Sequence, residues 1–123
     1  ATRILINQTC FDLKKPLISA AVENFEGQLY VFTPYKGAEY PCYQCLYPDV
    51  NEVIPEHGRC AEVGILGAVA GIIGSWQATE IIKLIIGVGA PLSQHMLTIN
   101  VLTHRIKKVR IRPDAQCPCC SSN

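Results

Sequence analysis

Pro41-Cys42-Tyr43-Gln44-Cys45-Leu46-Tyr47-Pro48 is the stretch that sets the reading of this chain. Two cysteines stand two residues apart between two prolines, so the segment reads as a turn-rich loop rather than the interior of a helix or strand. The two intervening residues let both thiolates turn toward one point. Cys117-Pro118-Cys119-Cys120 holds a second C-x-x-C, formed by Cys117 and Cys120. Two such pairs supply a tetrahedral four-thiolate site, the form used by structural zinc, with no position left open for substrate. The expected role of Cys42, Cys45, Cys117 and Cys120 is therefore to staple the loop to the C-terminal tail around a zinc ion. The chain between the pairs is much longer than in a zinc ribbon, so the fold must bring them together. Unrelated core cysteines, a pair of disulfides and a redox C-x-x-C are the alternatives, and Cys119 can replace Cys117 or Cys120 by a local shift. Iron shares the ligand type, although two separated pairs favour zinc.

Moving outward, Thr2 to Lys14 reads as a helix with Ile6, Cys10 and Leu13 at helical spacing and Pro16 as its stop. Leu17 to Val22 is a short apolar strand. Gln28 to Thr33 alternates, with Leu29 and Val31 on one face and Tyr30 and Phe32 on the other. Tyr35 to Arg59, punctuated by Gly37, Pro41, Pro48, Pro55 and Gly58, reads as a long irregular loop. Ala61 to Ile86 is the longest apolar segment. A membrane span needs roughly 20 apolar residues, but Gln77, Thr79, Glu80 and Lys83 interrupt this run. One or two buried helices are expected, closely packed through Gly64, Gly67, Gly71 and Gly74 and ended by Gly87, Gly89 and Pro91. Met96 to Val101 and Arg105 to Ile111 read as a hairpin with one solvated face, because Lys108, Arg110 and Arg112 alternate with Val109 and Ile111.

Composition bounds the function. The chain has 123 residues, 11 Lys plus Arg against 10 Asp plus Glu, and a net charge of +1. No basic excess marks it as a nucleic-acid binder. Hydrophobic residues make up 49% and charged residues 17%, enough to bury a core. Seven cysteines are an odd number, and this pattern points to metal and reactive thiols in a reducing, cytoplasmic compartment. The first residues carry no secretory leader pattern. Neither G-x-G-x-x-G nor G-x-x-x-x-G-K-[ST] occurs, so no nucleotide site can be built from these residues.

Cys60 stands apart from the four. It follows Glu56-His57-Gly58-Arg59 and directly precedes the apolar helix. The positive end of a helix dipole and Arg59 both favour thiolate, which makes Cys60 a candidate nucleophile for acyl or sulfur transfer. The alternative is an inert small hydrophobe. Cys10 reads as core, Trp76 as core or interface, and His57 as a group that can orient Cys60 or simply be exposed. His95 and His104 receive no role.

These motifs together resemble the ThiF/MoeB/HesA adenylyltransferases, bacterial relatives of ubiquitin-activating enzymes. Pro41 to Pro48 resembles P-C-Y-R-C-L-[FY]-P of that family, and Glu26 to Phe32 resembles E-G-Q-[VL]-x-V-F. Cys60 to Gly67 is similar to C-A-E-A-G-V-L-G, and Gly71 to Leu84 to G-V-I-G-[ST]-[LMW]-Q-A-x-E-[AI]-[IL]-K-[LM]. The tail resembles D-C-P-x-C. The matches span almost the whole chain in family order.

The resemblance implies an α/β fold: the C-terminal half of a Rossmann-like domain with a mixed sheet, a C-terminal antiparallel hairpin and a four-cysteine zinc knuckle. Residues 1–123 would be the C-terminal part of a ThiF-type domain. The ATP-binding half, with its glycine-rich loop, its Arg and Lys and a magnesium-holding Asp, would lie upstream of Ala1. ATP and magnesium are thus expected of the intact enzyme only. By resemblance it adenylates the C-terminal glycine of a ubiquitin-like sulfur-carrier protein, for thiamine, molybdopterin or related sulfur transfer. Cys60 falls where some members use a nucleophilic cysteine, and the apolar helix is similar to a segment that helps form the family's homodimer. The expected partners are a carrier protein and a second copy, with no nucleic acid and no membrane. The alternative is a non-catalytic, zinc-stapled module that binds the carrier.

Overall fold

The computed structural model describes residues 2–48 and 64–121. Helix α1 (Thr2–Asp12) leads into strands β1 (Leu17–Glu23) and β2 (Glu26–Phe32). A 3-10 turn (Pro34–Lys36) and the one-turn helix α2 (Tyr43–Leu46) follow. The long helix α3 (Gly67–Ile86) precedes strands β3 (His95–Asn100) and β4 (Arg105–Arg110).

The strands form one sheet in the order β1-β2-β3-β4, and each neighbouring pair is antiparallel. β1 and β2 close into a hairpin at Glu23↔Glu26. Asn24 makes the turn with φ 54, a left-handed conformation that asparagine tolerates better than most residues. The second hairpin turns at His104, φ 57. Of the mixed sheet expected for the domain, the described residues therefore show only the antiparallel part. Among the described residues parallel pairing is confined to an isolated bridge between Asn24 and Ile65. The tight β1–β2 and β3–β4 hairpins can join only antiparallel strands, and β2 and β3 pair antiparallel across the long connection that carries α3.

The alternation in β2 sorts the core into two layers. Leu29 and Val31 face α3, where they pack with Leu92, Leu97, Trp76 and Leu84. Val69 and Ile73 continue that layer onto Ile99, Ala20 and Val22. Tyr30 and Phe32 point the other way, toward Ile111, Leu17, Met96, Tyr43 and Leu46. Phe32 meets Tyr43 edge-on at 6.2 Å, so the aromatic layer seats α2 on the end of the sheet. Both faces of β2 are covered, and Leu29, Val31 and Phe32 are at most 1% exposed.

Three expectations change. The spacing of Ile6, Cys10 and Leu13 does not mark the buried side of α1. Ile6 and Leu13 are exposed, Cys10 is half-buried, and the buried residue is Asn7. The helix ends at Asp12 in a turn closed by Lys14 at φ 54, with the Lys15 N–H on the Cys10 carbonyl at 2.8 Å. It docks through Asn7 and Phe11 on the cysteine cluster rather than through an apolar stripe. Helix α3 is one helix, but it is not buried all round. Its sheet-facing stripe carries Val69, Ile73 and Glu80, whereas Ile72, Ile81, Ile82 and Ile85 face outward, Ile85 at 77% exposure. It is long and apolar enough to cross a membrane by length and composition, yet here one stripe lies on β1 and β2. Gly87 at φ 71 ends it as a left-handed cap, its N–H bonded to the Lys83 carbonyl. Strand β4 exposes all six residues rather than one face, because it is the sheet edge and α3 crosses the opposite strands.

Candidate metal centre

The two C-x-x-C motifs meet. The Sγ atoms of Cys42, Cys45, Cys117 and Cys120 all lie within 4.8 Å of one another. Cys42 and Cys117 approach to 3.5 Å, Cys45 and Cys120 to 3.4 Å, and Cys42 and Cys45 to 3.9 Å. A disulfide would need about 2.05 Å, and all six described cysteines are free. Sulfurs placed tetrahedrally about 2.3 Å from a metal ion are separated by about 3.8 Å. The observed spacings fall around that figure, so the four thiols can hold a metal ion without a change of fold.

Local structure presents each pair. Cys42 is the extended residue before α2, and the Cys45 N–H donates to its carbonyl at 3.2 Å. The Cys42 N–H in turn points at Cys45 Sγ, 3.5 Å away. On the other side Asp114 builds the turn. Its carboxylate accepts from the Gln116 N–H at 2.9 Å and its carbonyl from the Cys117 N–H at 3.1 Å. Ser121 closes the knuckle by bonding back to the Cys117 carbonyl. Cys42 and Cys117 are fully buried, while Cys45 and Cys120 are half-buried. Beside them an open recess of about 530 Å³, lined by Gln8, Phe11, Tyr35 and Cys120 among others, joins the cluster to solvent.

The electrostatics suit a cation. Burial pushes the Cys120 thiol up to about 12, helped by its bond to Cys45. Cys45 is raised as well, first by the bond to Cys42 and then by burial. Cys45 and Cys120, crowded in a desolvated site, favour their protonated forms until a positive charge takes the protons' place. Metal uptake there is proton release.

Cys119 is buried at 2% exposure but falls outside the set of four. Burial raises its thiol to about 11, and its Sγ accepts the Asn7 amide at 3.3 Å. The shift that would exchange Cys119 for a neighbour is not present. Asn7 is the residue that motif spacing missed, and the one available sign was a poor helix former amid an apolar run. Cys60, with His57 and Arg59, lies outside the described residues. His95 opens β3, where burial first, and then Lys108 and Arg110, hold its pKa below the ordinary value.

Comparison with known proteins places this geometry. The profile described as ThiF family matches residues 1–119. The chain is 42% identical over 124 residues to adenylyltransferase and sulfurtransferase MOCS3 of Drosophila willistoni, covering 99% of this chain and 26% of that protein. It is 36% identical to the sulfur carrier protein adenylyltransferase of Thermus thermophilus, covering 97% of this chain and 44% of that protein. The chain thus spans between a quarter and a half of the length of these relatives. Among solved structures, MccB from E. coli superposes with a TM-score of 0.71 at 18% identity, over 98% of this chain and 36% of MccB. The heterocyclase TruD gives 0.72 at 20% identity, over 95% of this chain and 20% of its own.

Proposed function

The chain belongs to the ThiF family, and on that footing we propose that it supplies the metal-stapled, antiparallel part of an ATP-dependent adenylyltransferase. That enzyme acts on the C-terminal glycine of a ubiquitin-like sulfur-carrier protein. Relatives named as an adenylyltransferase and sulfurtransferase and as a sulfur carrier protein adenylyltransferase match the chain nearly end to end. The observation that carries the reading is the convergence of Cys42, Cys45, Cys117 and Cys120 within a chain of this family. Zinc is the metal the donor set suits: four thiolates, a tetrahedral spacing and no vacant position. Zinc supplies no chemistry to the reaction in this reading and holds α2 to the tail.

Adenylation turns a carboxylate into an acyl phosphate with a good leaving group, and a sulfur nucleophile then displaces AMP. Cys60 is the proposed thiol for that second step, a cytoplasmic compartment keeps it reduced, and the working form is a homodimer. ATP and magnesium belong to the portion that the longer relatives carry beyond this match.

The test is carrier-dependent ATP–pyrophosphate exchange in the protein that contains this chain together with that portion. Exchange should be present and should survive Cys60→Ala, while transfer of the acyl group onward falls at least 10-fold. Absence of exchange with every ubiquitin-like carrier would refute the adenylyltransferase reading. Unchanged onward transfer in Cys60→Ala would remove the role of that thiol alone.

A further inference from the structure

Five thiols crowd the knuckle, and four positions are enough for a tetrahedral ion. Asn7 reaches that crowd from α1. Its side chain is buried at 2% exposure. The Nδ2 group donates to Cys42 Sγ at 3.6 Å and to Cys119 Sγ at 3.3 Å. Its Oδ1 accepts the Tyr43 N–H at 3.0 Å. A side-chain amide offers two protons and one carbonyl oxygen, and here every one of them is engaged. A buried asparagine in a helix is costly unless so bonded, so these three bonds account for its place.

We propose that Asn7 determines which four of the five clustered cysteines hold the metal. One amide proton rests on Cys42, a member of the set. N–H donation to a ligand sulfur fixes its orientation. The other proton rests on Cys119, which stands between Cys117 and Cys120 in sequence and is not a member. Cys119 Sγ is held on Asn7 and lies outside the set of four, although its thiol also bonds to Cys42. The Tyr43 bond ties the same amide to the first residue of α2, so one side chain registers the Cys42 pair and Cys119 against one helix.

This inference rests on the zinc reading above and is tested on the full chain with Zn²⁺ and Co²⁺ as probes. Zn²⁺ affinity comes from chelator competition, and the ligand set from the thiolate-to-Co²⁺ absorption. Asn7→Ala should weaken Zn²⁺ binding by about 10–100-fold, the range for lost second-layer partners of a metal ligand. Its Co²⁺ spectrum should broaden into two species as Cys119 enters. Asn7→Asp keeps the shape and the Tyr43 bond but lacks the donors, so it should weaken binding as much. Cys119→Ser in the Asn7→Ala background should restore one species. Cys119→Ser alone should leave affinity and spectrum unchanged.

Asn7→Ala or Asn7→Asp binding Zn²⁺ within two-fold of the parent, with the parent spectrum, would overturn the proposal. So would loss of a thiolate band in Cys119→Ser alone, which would make Cys119 a ligand. A parent chain that takes up neither ion overturns the zinc reading, and this inference with it.

Discussion

Gly27→Ala tests how closely α3 seats on the sheet. Gly27 pairs with Val22 on β1 and Ile99 on β3. A Cβ built there would stand 2.4 Å from Ile73 Cγ1, 2.6 Å from Ile73 Cδ1 and 3.5 Å from Val69 Cγ1. Carbon atoms pack at about 3.5–4.0 Å, so about 1 Å must be absorbed. Cδ1 can swing aside, but Cγ1 is fixed by a β-branched side chain with one favoured rotamer in a helix. The helix itself must lift, loosening the layer formed by Val69, Ile73 and Ile99. Overpacking of this kind costs about 1–3 kcal/mol, offset by about 0.4–1 kcal/mol from the stiffer unfolded chain. A net loss of about 1–2 kcal/mol is expected. Ile73→Ala alone should cost about 2–5 kcal/mol, and the double variant should lose at least 1 kcal/mol less than the sum (roughly), because the new methyl fills the vacated space. Urea midpoints at constant slope measure all three. A Gly27→Ala protein as stable as its parent, or a cycle additive to within about 0.5 kcal/mol, would refute the close-seating argument.

Two further outcomes are expected. Tyr30 is buried, with its hydroxyl paired to Tyr47 at 2.9 Å and donating to Gln28 at 2.9 Å. Burial, then the Tyr47 bond, raises its pKa from the ordinary 10.0. The folded state keeps a proton that the unfolded state releases, so this contribution is complete below pH 10 and is lost as pH rises beyond it. Stability of the parent should therefore fall more steeply above pH 10 than that of Tyr30→Phe, by up to about 1.4 kcal/mol per pH unit; parallel curves from pH 8 to 11 would count against it. Glu80 is buried and bonded to Lys83 Nζ at 2.7 Å, while the same ammonium donates to the Ala90 carbonyl at 2.9 Å. Lys83→Met leaves that carboxylate unpaired and should cost about 3–5 kcal/mol, whereas Glu80→Leu with Lys83→Met should recover most of it. Equal losses in the single and double variants, read from urea melts, would show that the pair does not act as a unit.

What the sequence disclosed and what it withheld divide along physical lines. Spacing is local, so the two C-x-x-C motifs, the β2 alternation and the second hairpin are legible in the order of residues alone. Burial depends on what lies opposite. The apolar content of α3 could not reveal that Ile72, Ile82 and Ile85 face away from the sheet. In α1 the apolar spacing misled, because the cysteine cluster wants an amide donor rather than a methyl group. Asn7 therefore had no motif to announce it. Cys119 was ambiguous for the same reason, since adjacent thiols are sorted by hydrogen bonds from a distant helix.

The order in which the ligands are synthesised has its own consequence. Cys42 and Cys117 are 75 residues apart, with α3, β3 and β4 between them. A ribosome adding about 5–20 residues per second needs about 4–15 s to cross that interval. Throughout it Cys42 and Cys45 are an open dithiol on a nascent chain, available to oxidants and to thiol-seeking ions. Only after the last strand has emerged can four sulfurs close on one ion. On the proposed metal reading, the cell's redox state and metal supply during translation set how much of the newly made protein closes this site.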